Sequence, residues 1–131
     1  MNVCFNSLEL TVLPAVADKI LAKGFENCDY DDWGFSPQGF SFEPFLSAED
    51  KNDDQTKSAL GSVWTNWINR ENAAESEEHA LVIEFESENV PPISVVNGLI
   101  EWMKRERLVF DLNYRYRLEN ENWHGALQAN S

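Results

Sequence analysis

Alternation of apolar and polar residues with a period of two predicts strands at three places in the chain. It begins in residues 3–12, and in residues 81–88 it places glutamates on one side of the strand. Residues 109–119 alternate most regularly, with aromatic and leucine side chains on one face. We expect a fourth strand at residues 40–45, which is short or at a sheet edge because its proline cannot donate a backbone hydrogen bond.

Apolar residues at helical spacing predict two helices in the first half of the chain. The first begins near Pro14 and ends at Gly24, residue types that suit the first turn and the C-terminus of a helix. The second follows the polar loop of residues 47–58, whose candidate N-caps are Asp53, Asp54 and Thr56. The apolar stripe of this second helix is Leu60, Val63, Trp64, Trp67 and Ile68.

A third helix is predicted after the Pro91–Pro92 pair, with basic residues near its C-terminus, where they favour the helix dipole. Its buried stripe is Ile93, Val96, Leu99, Ile100 and Met103. The strands on either side of this helix are expected to neighbour each other in parallel, with a right-handed connection. The charged residues that would then face one another are Glu84, Glu86, Arg115 and Arg117.

The element order β-α-β-α-β-α-β predicts an α+β fold. We expect a single small domain over residues 1–131, with a roughly four-stranded mixed or antiparallel sheet and about three helices, mainly on one face. The polar segment 122–131 is expected to fray. The chain shows no secretion signal and no apolar run long enough to span a bilayer, so we expect a cytoplasmic protein with Cys4 and Cys28 reduced.

The charge of the chain is concentrated in its middle. The formal net charge is −13, and residues 26–88 hold 16 of the 23 acidic residues but three of the ten basic ones. Acids and bases balance in the remaining residues. Such a field repels nucleic acid phosphates and anionic membranes and attracts basic partners. The alternative explanation is that an acidic surface only keeps the protein soluble.

Candidate chemistry in the sequence is weak. The aspartates of residues 29–34 match part of a calcium-binding loop, but Trp33 and Phe40 occupy positions that need oxygen ligands, and turn formation explains the aspartates better. His79 and His124 are far apart in the chain, and neither a nucleophile motif nor a phosphate-binding loop is present. We therefore predict no catalytic residue, no metal site and no cofactor.

Aromatic residues are unusually dense between residues 30 and 45: Tyr30, Trp33, Phe35, Phe40, Phe42 and Phe45. One interpretation is that they cover one end of the core beneath a long loop. The other is an exposed aromatic patch surrounded by acids, a composition typical of protein-binding hot spots.

The sequence therefore favours a non-enzymatic acidic binding protein that recognises a basic protein partner. It would act as an immunity or antitoxin-like inhibitor or as a mimic of nucleic acid charge, without binding nucleic acid or membranes directly. The predicted partner-binding residues are Asp29, Asp31, Asp32, Trp33, Phe35, Glu49, Asp50, Asp53 and Asp54. The alternatives are a small-ligand-binding or enzymatic α+β domain with a pocket near residues 30–45, and a homo-oligomer with a self-complementary apolar strip.

Overall fold

The computed structural model describes residues 2–28, 37–72, 77–120 and 122–131. The α-helices and strands of this part are β1 (Val3–Val12), α1 (Pro14–Gly24), α2 (Ala48–Asn52), α3 (Asp54–Gly61), β2 (Trp64–Asn72), β3 (His79–Glu88), α4 (Ile93–Arg105), β4 (Asp111–Leu118) and β5 (His124–Asn130). Two short 3-10 helices, Pro37–Gly39 and Glu43–Phe45, precede α2. The predicted α+β class is confirmed, but the described residues form five strands and four α-helices where about four strands and three helices were predicted.

The strands form one antiparallel sheet in the order β2-β3-β1-β4-β5. The expected pairing of β3 with β4 is therefore wrong, because β1 lies between them. Ser7 of β1 pairs with Glu84 on one side and with Arg115 on the other. The alternation in β3 and β4 identified both strands, but it carries no information about a third strand between them.

The helices pack against one face of this sheet, which we call the covered face. Its strands contribute alternate residues, all almost fully buried: Leu8, Leu10, Val12, Leu81, Ile83, Phe85, Leu112 and Tyr114. From α1 come Ala17 and Ile20, and from α4 come Val96, Leu99 and Met103 at helical spacing. The apolar stripe predicted for the third helix thus faces the core.

Arg70 lies on β2, an edge strand of the sheet, and fixes α1 to that edge. Its Nε donates a hydrogen bond to Nδ1 of His79 at 2.8 Å, and its guanidinium also donates to the carbonyl oxygen of Pro14 at 3.1 Å. Asp18 of α1 accepts a further hydrogen bond from the same group. One side chain therefore joins β2, β3 and the first turns of α1.

Three predicted elements take other forms in the structure. The predicted second helix is divided: α3 ends at Gly61, and Trp64 begins β2. The strand expected at residues 40–45 is instead a loop and a 3-10 helix, because Phe42 adopts helical backbone angles and Pro44 lies in the first turn. The tail expected to fray forms β5, which pairs with β4 from His124 onward.

No helix in the described ranges has the length and apolarity needed to cross a membrane.

Candidate functional site

Five of the predicted partner-binding residues, Asp29, Asp31, Asp32, Trp33 and Phe35, lie outside the described residues. The partial calcium-loop match at residues 29–34 lies there too. In the part of the chain that the structure describes, no group of three or more histidine, cysteine, aspartate or glutamate side chains is arranged to hold a metal.

The other four predicted residues lie on α2 and α3, where two of them cap helices. Ser47 and Asp50 form a reciprocal capping box: Ser47 Oγ accepts from the Asp50 amide at 3.1 Å, and Asp50 Oδ2 accepts from the Ser47 amide at 3.4 Å. Asp53 caps α3 by accepting from the amide and the hydroxyl of Thr56, at 2.9 and 2.8 Å. Both hydrogen bonds lower the pKa of Asp53, and the bond from the Thr56 hydroxyl has the larger effect. The carboxylate of Asp53 therefore stays charged.

Glu49, Asp53 and Asp54 are exposed, whereas Asp50 is half-buried. The ion pairs found among the described residues are Lys19–Glu106, Lys23–Glu26 and Arg70–Asp18, so none of them neutralises α2 or α3. Both helices lie on the helix-covered side of the sheet, since Asp50 of α2 approaches Gly98 of α4 and α3 also contacts α4. We call Glu49, Asp50, Asp53 and Asp54 the acidic helix pair.

The described aromatic residues of the segment 30–45 belong to the core. Phe40, Phe42 and Phe45 are at most 4% exposed. Phe40 packs edge-to-face on Phe42 at 5.4 Å between ring centroids, and Phe45 packs the same way on Trp102 at 4.9 Å. None of these three rings lines the grooves found on the surface. They therefore give no support to a ligand pocket, and the pocket remains a prediction for residues outside the described ranges.

On the opposite face of the sheet the described residues place no helix, and we call it the open face. Strand pairing aligns its side chains in rows that cross all five strands. The first row is Trp64, Glu86, Phe5, Arg117 and His124, and the second is Trp67, Glu84, Ser7, Arg115 and Ala126. Each row thus runs from an indole through an acid to a base.

The two tryptophans of the open face were predicted to be core residues of a helix, and that prediction is wrong. Trp64 is 38% exposed and Trp67 is 46% exposed. The indole Nε1 of Trp64 donates to Glu86 Oε2 at 2.6 Å on the neighbouring strand. On the other side of β1, the guanidinium of Arg117 lies 4.5 Å from the centroid of the Phe5 ring, a cation–π contact.

A broad groove of about 570 Å³ runs along the middle of the open face. Its charged lining comes from β3 and β4: Glu84, Glu86, Arg115 and Arg117. Sequence reasoning found these four residues but not the two indoles beside them. Only the pairing of β2 with β3 brings Trp64 and Trp67 next to the glutamates.

Both cysteines and both histidines of the chain lie among the described residues. Burial raises the pKa of the Cys4 thiol, which disfavours the reactive thiolate. Cys4 and Cys28 form no disulfide with each other. Nδ1 of His79 accepts from Arg70, while His124 is exposed near the edge of the sheet.

The fold and its surfaces define an α+β protein with an open-faced, five-stranded antiparallel sheet and a separate acidic helix pair. No protein-family model, no curated protein and no solved structure matches the chain. Its function therefore has to be argued from these two surfaces.

Proposed function

We propose that the protein is a non-enzymatic binding protein that recognises a basic protein partner through the acidic helix pair. The observation that carries this proposal is that Glu49, Asp53 and Asp54 are exposed and take part in none of the ion pairs described above. Basic side chains of a partner would supply the missing counter-charges. Two versions share this chemistry: an immunity or antitoxin-like inhibitor, and a mimic of nucleic acid charge.

The physical advantage of such a surface lies mainly in the rate of association. With a net charge of −13, the chain attracts a basic protein over distances comparable with the Debye length, about 8 Å at physiological salt. Electrostatic steering of this kind raises association rates by about 10 to 10³-fold and weakens as salt is added. The lowered pKa of Asp53 keeps its charge available in mildly acidic solution.

The same field argues against direct binding of nucleic acid or of anionic membranes, whose phosphates it repels. The acids of the pair also stabilise the helix N-termini that carry them, since Glu49 and Asp50 lie in the first turn of α2 and Asp54 in the first turn of α3. A binding surface on capped helices is held in one geometry before the partner arrives, which reduces the entropy lost on association.

The test is capture of partners from a lysate of the source cells at low salt, followed by elution at high salt. The informative variant is Glu49→Gln/Asp53→Asn/Asp54→Asn, in which asparagine at position 53 retains the capping oxygen. The matched control is Glu101→Gln/Asp111→Asn/Glu119→Gln, which removes the same number of exposed charges elsewhere.

We expect the wild type and the control to retain the same basic protein and the triple variant to lose it. Recovery of no basic protein, or equal recovery with all three baits, would overturn the proposal. A partner whose catalytic activity is blocked in the complex would identify the inhibitor version. A partner without such activity that is displaced by duplex DNA would identify the charge mimic.

A further inference from the structure

The open face has a charge pattern that reverses across its central strand. On the β3 side of β1 lie Glu84 and Glu86, and on the β4 side, in the same two rows, lie Arg115 and Arg117. All four line the central groove. A basic partner on this groove would meet the arginines, and an acidic partner would meet the glutamates. The pattern calls for a partner whose own charges are arranged in the reverse order.

We propose that this partner is a second copy of the chain, bound open face to open face about a two-fold axis parallel to β1. Rotation about that axis keeps each row at its own level and reverses the order of its residues. Strand β3 of each copy then lies over β4 of the other, so that Glu86 faces Arg117 and Glu84 faces Arg115. The two-fold axis makes each of these pairs form twice in the dimer. Such an isologous interface between aligned sheets, roughly 10 Å apart, is a common arrangement.

The outer strands also meet under this rotation, because β2 lies over β5. Trp67 then faces Ala126, whose small side chain leaves room for the half-exposed indole. Trp64 faces His124. Burial of exposed indoles is a frequent source of binding energy in protein interfaces.

The charge pattern also selects the direction of the axis. A two-fold axis across the strands would place β3 over β3 and β4 over β4, so that Glu84 and Glu86 would meet acids and Arg115 and Arg117 would meet bases. Like charges brought together in this way oppose association. The axis along β1 is therefore the one that the side chains favour.

One position works against the proposed dimer and makes it testable. In the third row, Glu9 of β1 lies close to the axis and would meet Glu9 of the second copy. Its neighbours in that row, Val82 and Asn113, carry no charge. Removal of this carboxylate should therefore strengthen the dimer.

The experiment is sedimentation equilibrium of the intact chain over a concentration series, at about 0.15 M salt to screen the repulsion between two copies of net charge −13. We expect a monomer–dimer equilibrium for the wild type. Glu84→Arg/Glu86→Arg and Arg115→Glu/Arg117→Glu should each weaken the dimer at least about tenfold. An equimolar mixture of the two variants should restore it, because an all-basic face then meets an all-acidic one.

Two further variants fix the site and the axis. Reversal of two charges on the helix-covered side and outside the acidic helix pair, Glu43→Arg/Glu101→Arg, should leave the dimer unchanged. Glu9→Gln should tighten it about fivefold, the effect of removing one like-charge contact in water.

The proposal is overturned if the wild type stays monomeric at every concentration. It is overturned in the same way if the wild type is monomeric and the fluorescence of Trp64 and Trp67 changes only when a basic protein is added, because the open face then binds that protein and not a second copy. It is also overturned if the folded charge-reversed variants do not associate with each other, or if Glu9→Gln fails to tighten the dimer. Circular dichroism establishes that each variant is folded. The acidic helix pair lies on the other side of the sheet, so these outcomes are independent of the proposed function.

Discussion

Tyr114 donates its phenolic hydrogen bond to the side-chain oxygen of Asn6 on the neighbouring strand, inside the covered face. The amide nitrogen of Asn6 in turn donates to the carbonyl oxygens of Cys4 and Phe85, at 3.1 and 3.3 Å, and to Ser87 Oγ at 3.1 Å. The core thus contains a polar network that joins β1, β3 and β4. Networks of this kind stabilise a fold only while each member keeps its partners.

Replacement of Tyr114 by phenylalanine should lower the free energy of unfolding by about 1–2 kcal/mol, because the Asn6 oxygen loses its strong donor in a buried site. Urea unfolding measures the difference. Tyr116→Phe is the matched control: its ring is half-buried, and its hydroxyl makes no hydrogen bond among the described residues. We expect it to cost less than about 0.5 kcal/mol. Equal losses for the two variants would contradict this role for the network.

The same tyrosine predicts a dependence on alkaline pH. Burial raises the pKa of Tyr114 above its usual value of about 10. The folded state then keeps the phenol protonated where the unfolded chain ionises, so its contribution to stability is present below about pH 10 and is lost as the pH rises further. The advantage of the wild type over Tyr114→Phe should shrink above that pH, by up to about 1.4 kcal/mol per pH unit.

Urea unfolding of both proteins between about pH 8 and pH 11 checks this alkaline dependence. The pKa of Cys4 is raised as well, but Cys4 is present in both proteins and largely cancels from the comparison. A difference in stability that stays constant over this range would contradict the expectation.

Two buried threonines should respond to the same substitution with opposite signs. The hydroxyl of Thr65 is buried on β2 and finds no hydrogen-bond partner among the described residues, so Thr65→Val should stabilise the protein by about 1 kcal/mol. The hydroxyl of Thr56 donates to Asp53 at 2.8 Å, so Thr56→Val should destabilise it by about 1–2 kcal/mol. Thermal or urea unfolding decides both signs. Destabilisation by Thr65→Val would show that its hydroxyl has a partner in solution.

Two helix-end glycines form a similar pair. An added Cβ at Gly24 would lie 1.9 Å from the ring of Phe40, which is buried and has no room to move, so Gly24→Ala should cost about 1–3 kcal/mol. A Cβ at Gly61 meets nothing within 4 Å, so Gly61→Ala should be neutral or stabilise by up to about 1 kcal/mol. The melting temperatures of the two variants should move apart, and a parallel shift would contradict this packing.

Periodicity in the sequence predicted the elements whose pattern is uninterrupted. It located β1, β3, β4, α1 and α4 close to their actual ends. It could not reveal which strands are neighbours, because apolar alternation specifies the buried face of a strand and not the strand beside it. The weak alternation of β5, which carries Gly125, Ala126 and Ala129, gave no signal that it would pair with β4.

The predicted second helix failed for a specific reason. The register of β2 against β3 shifts between Thr65 and Trp67, so both indoles face the open side although they are three residues apart. A spacing of three followed by Ile68 imitates one turn of a helix. An irregularity in one strand thus produced a pattern that sequence reasoning assigns to another kind of element.

The acidic residues of the helix pair were predicted from composition, and Asp53 was already a candidate cap, but residues 47–58 were predicted as a loop and instead form α2 and most of α3. The open face could not be predicted in the same way. Its rows depend on the alignment of residues from five strands, such as Trp67 beside Glu84 and Ser7 beside Arg115. That alignment is a property of the tertiary structure.

The central position of β1 also has a consequence for how the chain folds. Both neighbours of β1 come late in the sequence, since β3 begins at His79 and β4 ends at Leu118. Neither edge of β1 can therefore be paired until strands far along the chain have reached it. Sheets whose pairing is this non-local fold slowly, on the order of milliseconds to seconds. During that interval β1 exposes two unpaired edges, and it is the segment that most needs protection from pairing with other chains.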